Sequence, residues 1–213
     1  MTHIAFYFDP SCPFSWITSR WLLQVSVARE MTIDWRPFSL ALKNNELTPR
    51  DTDSEHAENH RGSHRIQRVI LQAATNHGAS IAQLYSEFGM RFHIMEEPFS
   101  NEVIKEVLMS LSLPAELLDA ADDTSLDTKL QKEIDTATTA TGGDIGVPTI
   151  VFIDDKTNEQ RGYFGPILQE LPPTKDKSLM LWDGLEKLTS LPYFYEIKRS
   201  RSGGPNVFSA ASC

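Results

Sequence analysis

The sequence predicts an α/β protein in which a long helical insertion separates the two halves of one sheet. Three observations carry this prediction. An apolar run, a helical run and a second strand-like run follow one another as far as Phe38; the middle of the chain holds several stretches of helical periodicity; and two short strand-like runs joined by turn residues follow Gly146. At 213 residues and 40% hydrophobic content the chain can bury a sizeable core.

Ile4-Ala5-Phe6-Tyr7-Phe8 reads as a buried strand. After Asp9-Pro10-Ser11-Cys12 a helix opens at Pro13, whose missing N–H and fixed φ suit the first helical position, and Phe14, Ile17, Trp21, Val25 and Ala28 recur at helical spacing. Thr32 to Phe38 alternates like a strand, with Pro37 placing its end at a sheet margin or turn. Strand, helix, strand is the opening of a parallel pair. Lys43 to Arg65 is polar and reads as a loop leading into a helix. From Arg65 onward Ile66, Val69, Ile70, Ala73 and Ala74 keep helical period, with Gly78 as the stop. Ser80 with Gln83 makes a capping box ahead of the stripe Ile81, Leu84, Tyr85 and Phe88. Further helices are expected from Asn101 to Leu111, briefly after Pro114, and from Ser125 to Ala140 before Gly142-Gly143. Ile150 to Ile153 and Gly162 to Phe164 flank the turn-rich Asp154 to Glu159 as an antiparallel hairpin. Beyond Pro172-Pro173, Leu181, Trp182, Leu185 and Leu188 give the last helix its apolar face, and the Gly-rich tail from Ser200 is expected to be mobile.

Composition excludes several classes of function. A net charge of −9 argues against nucleic acid and against anionic membrane surfaces as partners. No apolar run approaches the roughly 20 residues of a membrane span, and the N-terminus shows no basic region followed by an apolar stretch, so a cytoplasmic location is expected. The 2 cysteines, Cys12 and Cys213, rule out a disulfide framework and fit a reducing compartment.

The chemistry gathers at Cys12, where a strand hands over to a helix. At or near an N-cap, open backbone N–H groups and the positive end of the helix dipole favour a thiolate. A thiol of reference pKa about 8.5 is only roughly 3% ionised at neutral pH, and bringing it near 6 takes about 3.4 kcal/mol. The dipole supplies about 0.3–2 kcal/mol. Hydrogen bonds to sulfur must supply the rest, from the N–H groups of Phe14 and Ser15 and from the Ser15 hydroxyl. The competing reading of a lone cysteine is a small buried apolar residue. Far downstream, Gly146-Val147-Pro148-Thr149 begins a strand with a proline, a candidate for the cis isomer whose neighbouring main chain could bind an extended thiol peptide. His56, His60 and His64 recur at a spacing that could face a metal, but no acid or cysteine pattern completes a site, and the stripe reads as a solvated polar face with no metal.

Phe8-Asp9-Pro10, the Cys12-Pro13-Phe14-Ser15 helix start, Trp16-Ile17-Thr18-Ser19-Arg20-Trp21, Arg91-Phe92-His93, Gly146-Val147-Pro148-Thr149, Phe164-Gly165-Pro166 and Phe194 to Arg199 together resemble the DsbA-like branch of the thioredoxin fold, which carries a helical insertion. The resemblance covers nearly the whole chain and is closest to mycothiol-dependent nitroreductase-like members. It implies a thioredoxin-like domain of residues 1–42 and 144–200, an inserted helical subdomain of 43–143, and a flexible tail of 201–213. One departure falls on the chemistry: members typically carry two cysteines separated by two residues, and here Ser15 takes the second place, so no short intramotif disulfide can form. The Ser-Trp ending also resembles, more distantly, kappa-class glutathione transferases and hydroxychromene-carboxylate isomerases.

The resemblance thus implies a thiol–disulfide oxidoreductase in which Cys12 is the nucleophile and Ser15 stabilises its thiolate. Val147 and Pro148 would hold a partner's backbone, while Pro13, Phe14 and Trp16 would line the substrate. It places His93 at the rim of the site, in a loop after a helix, and Arg68 is a candidate for a carboxylate of a thiol cofactor. With one cysteine the consistent mechanism is monothiol exchange, a low-molecular-weight thiol such as mycothiol resolving the adduct of a small disulfide or electrophilic substrate. Cys213 is not expected to be that resolving thiol. Two alternatives stand beside it: a kappa-type transferase or isomerase, where a bound thiol is the nucleophile and Cys12 only hydrogen-bonds it, and a non-catalytic thiol-binding module. The sequence leaves room for a homodimer.

Overall fold

The computed structural model describes residues 2–50, 53–154 and 156–211, and Cys213 lies outside them. Strands β1 (His3–Phe8), β2 (Thr32–Pro37), β3 (Thr149–Ile153) and β4 (Gln160–Phe164) form one sheet in the order β2-β1-β3-β4. The β1–β2 bonds step forward together along both strands, from Thr32 N–H to Thr2 O at 3.0 Å and from Phe38 N–H to Phe8 O at 2.8 Å, which is parallel pairing. Both remaining pairs are antiparallel: His3 to Tyr7 run opposite Ile153 to Thr149, and Thr149 to Ile153 opposite Phe164 to Gln160. The strand order and the helical insertion are those of the thioredoxin-like fold expected from the sequence.

The chain packs as two compact units. The first is Met1–Tyr7, Pro13–Asp34 and Ala137–Cys213. Buried in it are Ile4 and Phe6 of β1, Ile150 and Val151 of β3, and Trp21, Leu22 and Val25 of helix α1 (Pro13–Arg29); by register Ile4, Phe6 and Ile150 share one face of the sheet and Val151 lies on the other. Trp182, on the C-terminal helix Lys175–Thr189, stands 5.9 Å from the Trp21 ring and 5.8 Å from Phe152, and the Trp21 Nε1–H donates to Ser178 O at 3.1 Å. The buried face of that helix is Ser178, Trp182 and Thr189, so Leu188, expected in it, sits about 120° around the helix from Trp182 and is 38% exposed. Within the tail, residues 206–210 pack against the rest of this unit. Asn206 N–H donates to Gln169 O at 2.7 Å, Leu171 N–H donates to Ser209 Oγ at 3.0 Å, and Ala210 is fully buried in the short 3-10 segment Val207–Ala210, which packs on α1.

The second unit is Phe8–Cys12 and Trp35–Thr136. It holds α2 (Leu40–Lys43), α3 (Glu55–His77), α4 (Ile81–His93), α5 (Asn101–Ser110) and the 3-10 segment Ala115–Asp122, and α6 (Asp127–Thr141) begins in it. Helix α3 starts ten residues before Arg65, because Ser54 caps it through Ala57 N–H and Glu55 and Glu58 favour the first turn electrostatically. Those first turns make polar contacts, with His60 against Glu46 at 2.6 Å and Arg61 donating to Asp53 at 2.7 Å, so apolar periodicity does not reveal them. Ile66, Val69, Ile70 and Ala73 of α3 and Leu84, Tyr85 and Phe88 of α4 are all buried, and Gly78 ends α3 in the left-handed conformation at φ 63°. Ser80 caps α4 through Gln83 N–H as its position in the sequence indicates.

Candidate active site

A strand running out of a sheet into a helix must turn, and Asp9-Pro10-Ser11-Cys12 is that turn. Cys12 N–H donates to Asp9 O at 2.9 Å, closing it, and α1 begins at the next residue. The Asp9 side chain is fully buried. Its Oδ1 accepts from Ser11 N–H at 2.8 Å, from the Ser11 hydroxyl at 2.6 Å and from the Ser63 hydroxyl, while Oδ2 accepts from Leu40 N–H at 2.8 Å and Gln67 Nε2–H at 3.0 Å. His93 closes the turn from the other side, its Nε2–H donating to Pro10 O at 2.9 Å. Burial pushes the His93 imidazole down to about 4, outweighing the opposing effect of the Pro10 carbonyl. His93 is the last residue of α4 and not part of the following loop.

Cys12 is a half-buried thiol at this junction. Ser15, in the third position of α1, is fully buried, and its hydroxyl has no hydrogen-bond partner among the described residues, so the support expected from it for the Cys12 thiolate is not formed. Trp16 is also fully buried, with the Arg20 guanidinium 4.2 Å above its ring. Pro13 and Phe14 stay half-buried, and the Arg201 guanidinium lies 4.8 Å over the Phe14 ring. At the head of β3 the Val147–Pro148 peptide is cis and both residues are buried; Gly165 N–H donates to Pro148 O at 2.7 Å.

Arg68 meets an internal carboxylate. Its Nε–H and Nη2–H both donate to Asp127 at 2.7 Å, and Nη1–H donates to Ala121 O at 3.0 Å, which occupies the guanidinium fork considered for a cofactor. Asp127 also accepts from His64 Nε2–H at 3.0 Å. On the other side of that ring Nδ1 accepts at 2.8 Å from the Ser39 hydroxyl, whose oxygen in turn caps α2 through Leu42 N–H. Burial, reinforced by the Arg68 charge, holds the His64 pKa below its ordinary value and keeps the ring neutral with the proton on Nε2. His56 is exposed, so the three histidines spaced for a metal go three different ways, and the described residues contain no group of three His, Cys, Asp or Glu side chains that could hold one. Also among the described residues, no helix is long and apolar enough to cross a membrane.

Asp9, Ser63 and Gln67 were not legible as site residues. The only local signal was a carboxylate placed between a strand and a proline ahead of the cysteine, and its partners lie 31, 54 and 58 residues away.

The model of the Rv2466c-like family, described as mycothiol-dependent nitroreductase Rv2466c, matches residues 11–199. The uncharacterised protein Rv2286c of Mycobacterium tuberculosis (strain ATCC 25618 / H37Rv) is 29% identical over 207 residues, which are 95% of this chain and 84% of that protein. Among solved structures, the cytosolic disulfide reductase DsbM from Pseudomonas aeruginosa is similar with a TM-score of 0.58 at 13% identity, over 87% of this chain and 99% of its own. The probable DsbA oxidoreductase SCO1869 from Streptomyces coelicolor gives 0.57 at 16% identity over 97% of each chain. At those identities the likeness shows the fold, the DsbA-like form of thioredoxin. The family match, spanning the Cys12 helix start and strands β2, β3 and β4, adds the chemistry: the chain belongs to the Rv2466c-like family and is a thiol-dependent oxidoreductase.

Proposed function

We propose that the chain exchanges thiols and disulfides by a monothiol mechanism, with a low-molecular-weight thiol as second substrate. The observation that carries this reading is Ser15 in the place of a second cysteine at the head of α1, buried three residues after the half-buried Cys12. The Cys12 thiolate attacks one sulfur of a small disulfide, forms a mixed disulfide with it and expels the other sulfur as a thiolate, which takes up a proton. A second small thiol, ionised, attacks the mixed disulfide, leaves with the bound half as a new disulfide, and restores the Cys12 thiolate. No electron is gained or lost by the protein over the cycle. The family description makes mycothiol the candidate small thiol. Reliance on a reduced thiol pool suits a cytoplasmic setting, and a small electrophile could take the place of the disulfide in the first attack.

Phe14 and Pro13, half-buried beside Cys12 in sequence, are assigned to contact the substrate. The main chain at Val147 and Pro148 is assigned to an extended thiol-bearing segment. His93 acts through the turn, as a donor to Pro10 O. The thioredoxin-like part is taken as residues 1–42 and 144–200, with 43–143 inserted.

The test is intact-mass spectrometry of the reduced protein after incubation with mycothiol disulfide. The expected result is one adduct of a single thiol on Cys12, removed by excess mycothiol. Saturable mycothiol binding with no adduct would turn the assignment to a transferase or isomerase in which the bound thiol is the nucleophile. Neither adduct nor binding would leave a module without exchange chemistry.

A further inference from the structure

The exchange cycle gives Asp9 no role, yet Asp9 is the most heavily hydrogen-bonded side chain next to Cys12. A carboxylate taken fully out of water is costly unless hydrogen bonds take up its charge. Here five neutral donors do so: the Ser11 N–H, the Ser11 and Ser63 hydroxyls, the Leu40 N–H and the Gln67 amide. Two of them lie inside the turn. The other three lie at the start of α2 and on α3, so the carboxylate fastens the turn that ends on Cys12 to two helices of the same unit.

The arrangement calls for an acid at this position. Backbone N–H groups can only donate, and both oxygens face one. An asparagine would set its NH2 either against Leu40 N–H and the Gln67 amide or against Ser11 N–H, whichever way it turned. Gln67 points the same way. Its Nε2 must face Asp9, since Oε1 there would set acceptor against acceptor, and Oε1 is consequently buried with no partner among the described residues. The fold leaves one amide oxygen unsatisfied and keeps the bond to Asp9.

We propose that Asp9 is the positioning residue of Cys12: as a carboxylate it locks the Asp9–Cys12 turn to α2 and α3 and so fixes where the thiol stands at the first turn of α1. Asp9 does not touch the substrate; it acts through Ser11 and the Asp9 O to Cys12 N–H bond. The assignment rests on the reading of Cys12 as the nucleophile.

The experiment compares Asp9→Asn with the unaltered full chain, following Cys12 alkylation by iodoacetamide as a function of pH together with amide hydrogen exchange at Ser11, Cys12 and Leu40. Loss of positioning moves the thiol away from the helix start and its N–H groups. The expected result is therefore a rise of about one unit in the apparent alkylation pKa, about tenfold less thiolate at a fixed lower pH, with about tenfold faster exchange at the three amides. A purely electrostatic role predicts the opposite sign, because removing a nearby negative charge favours the thiolate, and a fall in the alkylation pKa would overturn the proposal. So would a lowered melting temperature with an unchanged profile and protected amides, which is what a merely structural residue gives.

If Asp9→Asn does not fold, Ser63→Ala and Gln67→Leu carry the test. Each removes one donor from outside the turn and should shift both readouts in the same direction by a smaller factor; no shift in either would again overturn the proposal. Failure of the exchange chemistry is distinguishable. An unaltered protein that forms no mycothiol adduct, but whose Ser11 and Cys12 amides lose protection in Asp9→Asn, loses the oxidoreductase mechanism and keeps the clamp.

Discussion

Acidification should destabilise the fold through one imidazole, the one hydrogen-bonded to the turn that carries Cys12. His93 closes α4, donates Nε2–H to Pro10 O at 2.9 Å, and is held by burial at about 4 against an ordinary 6.5. Above about pH 6.5 the ring is neutral in both the folded and the unfolded chain. Below it, the unfolded chain takes up a proton that the folded chain does not, so stability falls as the pH falls, and the fall ends once the folded form protonates near 4. At about 1.4 kcal/mol per pH unit, the gap between the two values amounts to about 3 kcal/mol, an upper figure for a partly exposed ring. The bond to Pro10 survives protonation, since an imidazolium still donates, so the cost is that of charging a largely desolvated ring. His93→Gln keeps an N–H for Pro10 O and removes the titration. Urea unfolding at pH 7, 6, 5 and 4.5 should therefore give a steeper loss for the unaltered chain than for the variant, the difference growing to about 2–3 kcal/mol at pH 4.5. His64, whose pKa burial also lowers, acts in both proteins and cancels. Parallel curves across the range would refute the reasoning, and so would a difference that grows above pH 7.

A buried hydroxyl without a partner costs about 1–3 kcal/mol, so Ser15→Ala should leave melting unchanged or raise it by a few degrees; if it also slows Cys12 alkylation, Ser15 turns toward the thiolate during the reaction. Ser15→Cys should form a disulfide with Cys12 under mild oxidation and gain dithiol reductase activity, which a gel-shift thiol assay and turnover of a small disulfide would show. Arg68→Ala leaves Asp127 and the Ala121 carbonyl without their donor and should cost about 3 kcal/mol in urea unfolding; a raised KM for an anionic thiol at unchanged stability would instead return Arg68 to cofactor binding. Deleting the residues after Pro205 uncovers the face of α1 packed by the Val207–Ala210 segment and should lower the melting temperature by about 2–4 °C for each kcal/mol lost. The same truncation and Cys213→Ser should both leave thiol exchange unchanged, and a Cys12–Cys213 linked peptide after mild oxidation would overturn that expectation.

What the sequence showed and what it hid divide along a physical line. The start of α1, the stop at Gly78, the cap at Ser80 and the strand that begins after Pro148 were legible because each is decided by residues within about four positions, through a lost N–H, a left-handed φ or a side chain folded back on its own helix. Apolar periodicity located the core half of α3 but missed its first turns, where His60 and Arg61 find Glu46 and Asp53 and nothing apolar repeats. The contacts of residues 206–210 were hidden for a related reason. Gly203, Gly204 and Pro205 describe a chain with no local preference, and its order comes from Gln169, Leu171 and the surface of α1, which are distant in sequence.

Trp16 and Asp9 show the same limit at the site itself. The sequence marked Trp16 as a candidate to line the substrate and gave Asp9 no role of its own, and both side chains are fully buried. The ring went to the core under Arg20, and the carboxylate became the centre of five hydrogen bonds, three of them from Leu40, Ser63 and Gln67, which no local pattern links to it. A polar network of this kind has no period to detect, because its members are chosen by donor and acceptor geometry in three dimensions. Sequence could therefore point to Cys12 and its helix, where the chemistry is local. It could not point to the groups that hold Cys12 in place, because Ser63 and Gln67 acquire their meaning only when α3 brings them, four residues apart on one face, against a carboxylate more than fifty residues earlier.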